Sequence, residues 1–433
     1  MTKPVQILIL LLVFGTMGRS EEAKGIYDLA GVWQADFNAD SSRIITRMRG
    51  GKLGLWDAST GKMVTSALSG ADSVTDYVLD ERMVLALIEL KPGSWQAFEL
   101  LSGKSASPVL NVPGTHIKGA FSPEGSMIYT RNTEGDVMVF ETTSGKQLAK
   151  LKLPPEEEGH ELDSAPQFCP KRHLVFLMDT KGRLHRYDTR TWKEVLPSLN
   201  HRLSDSAYVI GFNLSEDGQY AATFDAPGEN GPNGSLQIWD LDTAKPVGDP
   251  VVGQNGISAT FLNDSRCLLR YFWAPVEVVN LPSLTTDFKI RGHKDGEGGF
   301  ARLVSGDNRR YILSWGYDRA LFLSHFDNST HAGNASLPCA VDSVLSPNSK
   351  DHIWITLDNT VYIKKQHYDQ YVVKYSLPGL QPEAVLRVQD YIHRAVLSPS
   401  FKSLILVRGT TDHEQVRLFD AQTLEETRFD LPR

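Results

Sequence analysis

Cysteine is scarce in this chain. Cys169, Cys267 and Cys339 are the only three in 433 residues, and they lie far apart. A disulfide needs two Cα atoms within about 7 Å, so no cross-linked framework is expected. Each sits among strand-forming residues, which predicts small buried apolar fillers. A cationic excess is also missing. The net charge is −7 and the Lys and Arg residues are dispersed. That argues against a nucleic-acid or anionic-membrane surface as the basis of function. Arg43, Arg47, Arg49 and Lys52 form the one basic cluster, read as a solvated hairpin face. The signatures Gly-x-Ser-x-Gly, His-Glu-x-x-His and Cys-x-x-Cys do not occur, and neither does a phosphate loop. Extended stretches at helical period are absent too.

Only one long apolar run occurs, and it is at the start. Lys3 precedes an apolar core over residues 7–14, too short to cross a bilayer, and Gly18-Arg19-Ser20 offers small residues beyond it. Residues 1–20 therefore read as a secretory signal peptide cut near Glu21. The expected location is periplasmic or extracellular, with no stable membrane span after cleavage. Residues 21–433 form one repeat architecture. Five Asn-x-Ser/Thr acceptors occur in it, at Asn213, Asn233, Asn263, Asn328 and Asn334.

What the chain has in quantity is a recurring phrase. An alternating apolar strand ends in an aromatic residue and an acid, then a turn, then an outward strand. Trp56-Asp57, Phe140-Glu141 and Trp239-Asp240 are clear copies, and Tyr187-Asp188 and Phe419-Asp420 are looser ones. Anchors at Trp56, Phe98, Phe140, Tyr187, Trp239, Val279, Ser324, Lys364 and Phe419 are separated by 42, 42, 47, 52, 40, 45, 40 and 55 residues. Within each unit the apolar period is two, the mark of strands. Turn signals such as Ser122-Pro123-Glu124-Gly125, Ser215-Glu216-Asp217-Gly218 and Ser398-Pro399-Ser400 precede the next strand. A period in the forties with this internal pattern predicts an all-β chain: one closed β-propeller of four-stranded antiparallel blades. Nine units give eight or nine blades, eight if the weak unit over 361–377 is absorbed, with seven a lesser choice. The alternating C-terminal stretch over 427–431 is expected to pair into the first blade and close the ring.

The Trp-Asp pairs make the chain resemble the WD-repeat family across nearly all of residues 21–433. In that family a His, an Asp in a tight turn and a Trp form a polar network. Gly292-His293 and Asp318 look like two of its members, while Ser324 stands at the Trp position, and Asp358 occupies the same turn position one unit later. The resemblance implies structural roles for Trp56, Asp57, Trp239, Asp240, His293, Asp318, Asp358, Phe419 and Asp420. It also implies a scaffold that binds other proteins through its loops.

The longest irregular insert within a unit runs over 225–234, and Asp225, Glu229, Asn230 and Asn233 are its candidate interaction residues. His160, His173, His185 and His201 show no metal-ligand spacing, and the Gly-rich stretch over 292–299 lacks the alternating acids of a calcium loop. The expectation is thus an exported, monomeric, non-enzymatic scaffold with a protein partner and no cofactor or metal. The alternative is a propeller enzyme or small-ligand sensor working in the central channel. A convergent cluster of polar or titratable groups in the channel would favour it.

Overall fold

A computed structural model gives the architecture. It describes residues 32–48, 51–65, 77–114, 118–155, 166–179, 181–201, 208–226, 233–254, 257–263, 265–271, 275–290, 293, 298–306, 309–316, 318–328, 330–337, 340–345, 351–358, 370–388, 391–409 and 414–427. The signal segment, Cys339 and the acidic run over 156–161 lie outside these residues.

The chain is a nine-bladed β-propeller. Nine antiparallel sheets follow one another, each with its strands in chain order; among the described residues eight have four strands and the ninth has three. Blade 1 runs Val32–Phe37, Arg43–Met48, Leu53–Asp57 and Met63–Thr65. Blade 9 runs Ile392–Leu397, Ser403–Arg408 and Gln415–Asp420. First strands pack on one another between blades 9 and 1, 2 and 3, 4 and 5, and 5 and 6, which places them at the axis. Fourth strands form the rim: Gln147–Lys152 in blade 3 is largely exposed, whereas its neighbour Asp136–Glu141 is largely buried.

Among the described residues the apolar interior divides into nine clusters, one at each seam between adjacent blades. The aromatic anchors account for this. Each is the last residue but one of the third strand and faces the preceding blade. Phe98 packs in the seam between blades 1 and 2, Phe140 in the next, then Tyr187 and Trp239. Trp56, fully buried, fills the seam between blades 9 and 1, so the ring is closed. The eighth anchor is not Lys364, which lies outside the described residues. Tyr375, in the third strand Gln370–Ser376, pairs with Ile353 in the register that pairs Trp56 with Ile44. The connection ahead of that strand is long, and this displaced the sequence-based register.

The expected pairing of residues 427–431 into the first blade falls on a stretch of which only Thr427 is described. Residues 428–433 are outside the described part. Glu426 bridges to Phe419, and the Thr427 N–H donates to Leu418 O at 2.9 Å, so the described portion joins its own ninth blade. Blade 1 has four strands of its own. Side-chain packing closes the seam, together with the Val32 N–H donated to Glu414 O at 3.3 Å.

Polar side chains fasten the turns. At the first turn of the blades, Asn38 Oδ1 accepts from Arg43 N–H (2.9 Å), Asp80 Oδ1 from Leu85 N–H (2.8 Å), Ser122 Oγ from Met127 N–H (3.1 Å) and Ser398 Oγ from Ser403 N–H (3.0 Å). At the third turn, Asp57, Asp188, Asp240 and Asp420 each accept from the N–H three residues on, at 3.0, 3.1, 2.8 and 2.9 Å. In a meander the first and third turns emerge at the same end. One face of the ring is therefore built of rigid turns.

Candidate functional site in the channel wall

The Trp-Asp residues of the repeat act in packing and turns. Trp56 Nε1–H donates to Thr46 Oγ1 at 2.9 Å inside blade 1. Phe419 fills the seam between blades 8 and 9. His293 Nδ1 lies 3.1 Å from both Asp318 carboxylate oxygens, and its Nε2 lies 3.0 Å from Ser314 Oγ. Ser324, buried at the Trp position, bonds His331 Nδ1 instead at 3.0 Å. Asp358 ends the second strand of blade 8, and its side chain lies outside the described residues.

The most complete network was not foreseen. In blade 5 Trp239 Nε1–H donates to Thr223 Oγ1 (2.9 Å), His201 Nδ1 meets the same hydroxyl (2.7 Å) and His201 Nε2 meets Ser235 Oγ (2.9 Å). Ser235 Oγ–H in turn donates to Asp225 Oδ2 at 2.7 Å. Asp225, expected on an exposed loop, is only 2% exposed. Glu229 and Asn230 lie outside the described residues. Asn233 pairs through its backbone with Gln254, and its side chain is not among those described. His201 had no fixed spacing to its partners, so only its place one blade-connection ahead of a Thr-Trp pair marks it.

The channel wall holds a second convergence. Asp36 lies on the first strand of blade 1, Arg394 on that of blade 9 and Tyr77 on that of blade 2. Arg394 Nη2 donates to Asp36 Oδ1 at 2.6 Å, Tyr77 Oη–H to Asp36 Oδ2 at 2.7 Å, and Gln34 Nε2 to the same oxygen at 3.1 Å. Three blades are thus tied through one carboxylate. Burial, reinforced by the Asp36 charge, raises the Tyr77 pKa well above the usual phenol value, so it stays a donor. Beside this cluster a cavity of about 450 Å³ opens between the first strands of blades 8 and 9. Its lining includes Asp36, Asp342, Ser343, His393 and Arg394 over an apolar floor. Thr356 Oγ1–H donates to Asp342 Oδ2 at 2.9 Å.

Other groups are accounted for structurally. His185 lies between Glu194 (2.8 Å from Nδ1) and Asp179 (3.1 Å from Nε2). Cys169 and Cys267 are buried thiols, and burial pushes Cys267 up to about 12. Asn213, one of the acceptor sequons, donates its amide to Ala259 O of the next blade at 2.7 Å. No helix among the described residues is long and apolar enough to cross a membrane.

A different feature marks the turn face. Val84 and Leu101, on the first and third turns of blade 2, are 40% and 56% exposed. The Leu100 N–H donates to Val84 O at 2.9 Å, holding the two turns together, and Arg43 Nε of blade 1 donates to Leu101 O at 3.3 Å.

No family model matches the chain, and no curated protein matches it. Solved structures do. It is similar to the computationally designed Ika8 protein, at 15% identity over 84% of this chain and 98% of that one, with a TM-score of 0.51. It also matches the C-terminal WD40 domain of Sif2, at 12% identity over 91% and 97% with a TM-score of 0.49. BamB from Moraxella catarrhalis matches at 14% identity over 74% and 92% with a TM-score of 0.47. Likeness at these identities concerns the fold alone.

Proposed function

We propose that the chain is an exported, non-enzymatic scaffold of the WD-repeat kind, binding a protein partner on its turn face. The observation that carries this reading is the exposed pair Val84 and Leu101, held on two cross-bonded turns. A preorganised apolar anchor loses little conformational entropy on binding, and apolar anchors at the centre of a patch carry most of an interface's energy. The rim of charged groups, Glu81, Arg82 and Lys104, fits the polar surround of such a patch. The chain acts as a monomeric ring, and its acidic balance fits a protein partner better than a nucleic acid. The test is affinity capture of the mature protein from its native compartment, beside the double variant Val84→Asp, Leu101→Asp. A partner retained by the wild type and lost by the variant, at equal melting temperature, is expected. Capture indifferent to the substitutions would overturn this face as the binding surface.

A second reading, a small-ligand sensor acting at the channel, is favoured by one observation. Asp36, Asp342 and Arg394 converge on a single cavity in the channel wall.

A further inference from the structure

We propose that the turn face takes an acidic, extended polypeptide segment of its partner, held by an arc of lysines across five consecutive blades. The inference rests on the turn-face reading and names the chemistry of the partner.

The lysines occupy one structural position. Lys62, Lys104, Lys146, Lys193 and Lys245 each stand six residues after the third-strand anchor of blades 1 to 5. In blades 1 to 4 the carbonyl of that lysine accepts the N–H of the acid next to the anchor, at 2.9, 2.8, 2.9 and 3.0 Å. In blade 5 Lys245 pairs with Asp240 in the ladder. The same position in blades 6 to 9 holds Thr285, Thr330, Gln381 and Glu425, so the turn itself does not require a cation there. Lysines 42, 42, 47 and 52 residues apart in the chain are thus set side by side on the outer edge of the turn face, over more than half of the nine blades.

All five residues are exposed, and among the described residues none of the five ammonium groups meets a carboxylate. The acids of the same turns are bonded within them. Asp57 accepts from the hydroxyls of Ser59 and Thr60 at 2.7 and 3.0 Å, Glu99 from Ser102 at 2.7 Å and Asp240 from Thr243 at 3.0 Å, while Asp188 is paired with Arg190. The carboxylates are therefore held by the turns, and the ammonium groups, on long flexible stems, are left to a partner.

Spacing and polarity select that partner. Sheets packed face to face lie about 10 Å apart, so neighbouring lysines are separated by at least about that distance. An extended chain rises about 3.3 Å per residue, and an acid at every third residue keeps step with the blades. Exposed apolar side chains are interleaved with the cations. Met63 follows Lys62, Leu101 shares the turn of Lys104, and Leu148 lies two residues beyond Lys146. A polypeptide supplies apolar residues to meet them, and a sulfated polysaccharide does not. Complementary charge then sets approach and register, and the apolar contacts supply affinity.

The experiment titrates the mature full chain with three labelled probes, read by fluorescence anisotropy. One is a peptide of about 20 residues with glutamate at every third position and leucine and serine between. The second carries lysine in place of glutamate, and the third is dextran sulfate. The glutamate peptide is expected to bind about tenfold more tightly than the lysine peptide, and to weaken as salt rises. Lys104→Gln with Lys146→Gln is expected to weaken it about fivefold at an unchanged melting temperature. Lys91→Gln with Lys181→Gln removes the same charge from second turns on the opposite face and is expected to leave binding unchanged. If both pairs weaken binding alike, bulk charge is responsible and the arc is overturned. If dextran sulfate binds as tightly as the glutamate peptide and Leu101→Asp affects neither, the surface takes a polysaccharide and the acidic-polypeptide proposal falls. If the glutamate peptide does not exceed the lysine peptide while Val84→Asp, Leu101→Asp still abolishes capture of the native partner, the turn face stands and its acidic partner is overturned. If capture also ignores that variant, the turn-face reading falls with it.

Discussion

The proton positions around His201 follow from its neighbours. Ser235 gives its hydroxyl hydrogen to Asp225, so it must accept from His201, which places a proton on Nε2. Nδ1 is then the acceptor for the Thr223 hydroxyl, whose oxygen receives the Trp239 N–H. The chain of donors runs from Trp239 to Asp225 only if the imidazole is neutral. Burial depresses the His201 pKa, and the Asp225 charge opposes this without reversing it. Because the folded value lies below the ordinary one, this contribution to stability is full above about pH 6.5 and lost as pH falls through the folded value. His185 has the opposite sign. Burial would lower its pKa, but hydrogen bonds to Asp179 and Glu194 outweigh it and raise the value. Its contribution is full below about pH 6.5 and lost as pH rises through the folded pKa. His201→Gln should therefore flatten the loss of melting temperature on acidification, while His185→Gln should destabilise at pH 6 more than at pH 9. Thermal melts across pH check both, and equal effects at every pH would contradict the assignment. Thr223→Val, which strips Trp239 and His201 of a shared partner, should cost about 1–3 kcal/mol in denaturant titration.

Elements show why some of the design was legible and some was not. The turn fasteners act within three to five residues, so Asp57, Asp240, Asp420, Ser122 and Ser398 announce themselves as local patterns. The anchors recur because every third strand meets the same seam. The sequence reading lost register only where the long connection before Gln370–Ser376 hid Tyr375 behind Lys364. The blade 5 network was illegible for a physical reason. His201 reaches Thr223 across 22 residues and Ser235 across 34, with the insert over 227–232 in between. The channel cluster was hidden more completely, since Arg394 and Asp36 are 358 residues apart and meet only when the ring closes. The turn acids carry their own prediction. Asp240 accepts two backbone N–H bonds and a hydroxyl, so Asp240→Ala should lose about 0.5–2 kcal/mol, the range of comparable caps. Asp240→Asn, which keeps the acceptor, should recover most of it. Chemical denaturation of both variants decides whether the acceptor or the charge matters.

The molecule as a whole faces one topological problem: its first and last blades must meet, and among the described residues they do so without a strand shared between them. Every other seam is joined by a covalent connection, and the closing one is joined by packing and polar contacts. Trp56, Val32 and Phe37 from blade 1 pack with Ile405, Val407 and Leu418 from blade 9. Ser400 N–H donates to Ser41 Oγ at 3.1 Å on the turn face, and Arg394 reaches Asp36 in the channel. Asp36 is the least replaceable of these because it also holds Tyr77, which carries the tie into blade 2. Removing the carboxylate leaves a buried phenol and a guanidinium without their shared acceptor, at about 1–3 kcal/mol. Asp36→Ala should therefore lower the melting temperature and, more tellingly, open the seam locally. Hydrogen exchange is expected to rise first in Val32–Phe37 and Ile392–Leu397, the two strands that flank the gap. A variant in a blade far from the seam, such as Asp240→Ala, should not reproduce that pattern at equal destabilisation. Uniform loss of protection around the ring in Asp36→Ala would show that closure does not depend on this contact, and that the apolar seam alone holds the ends together.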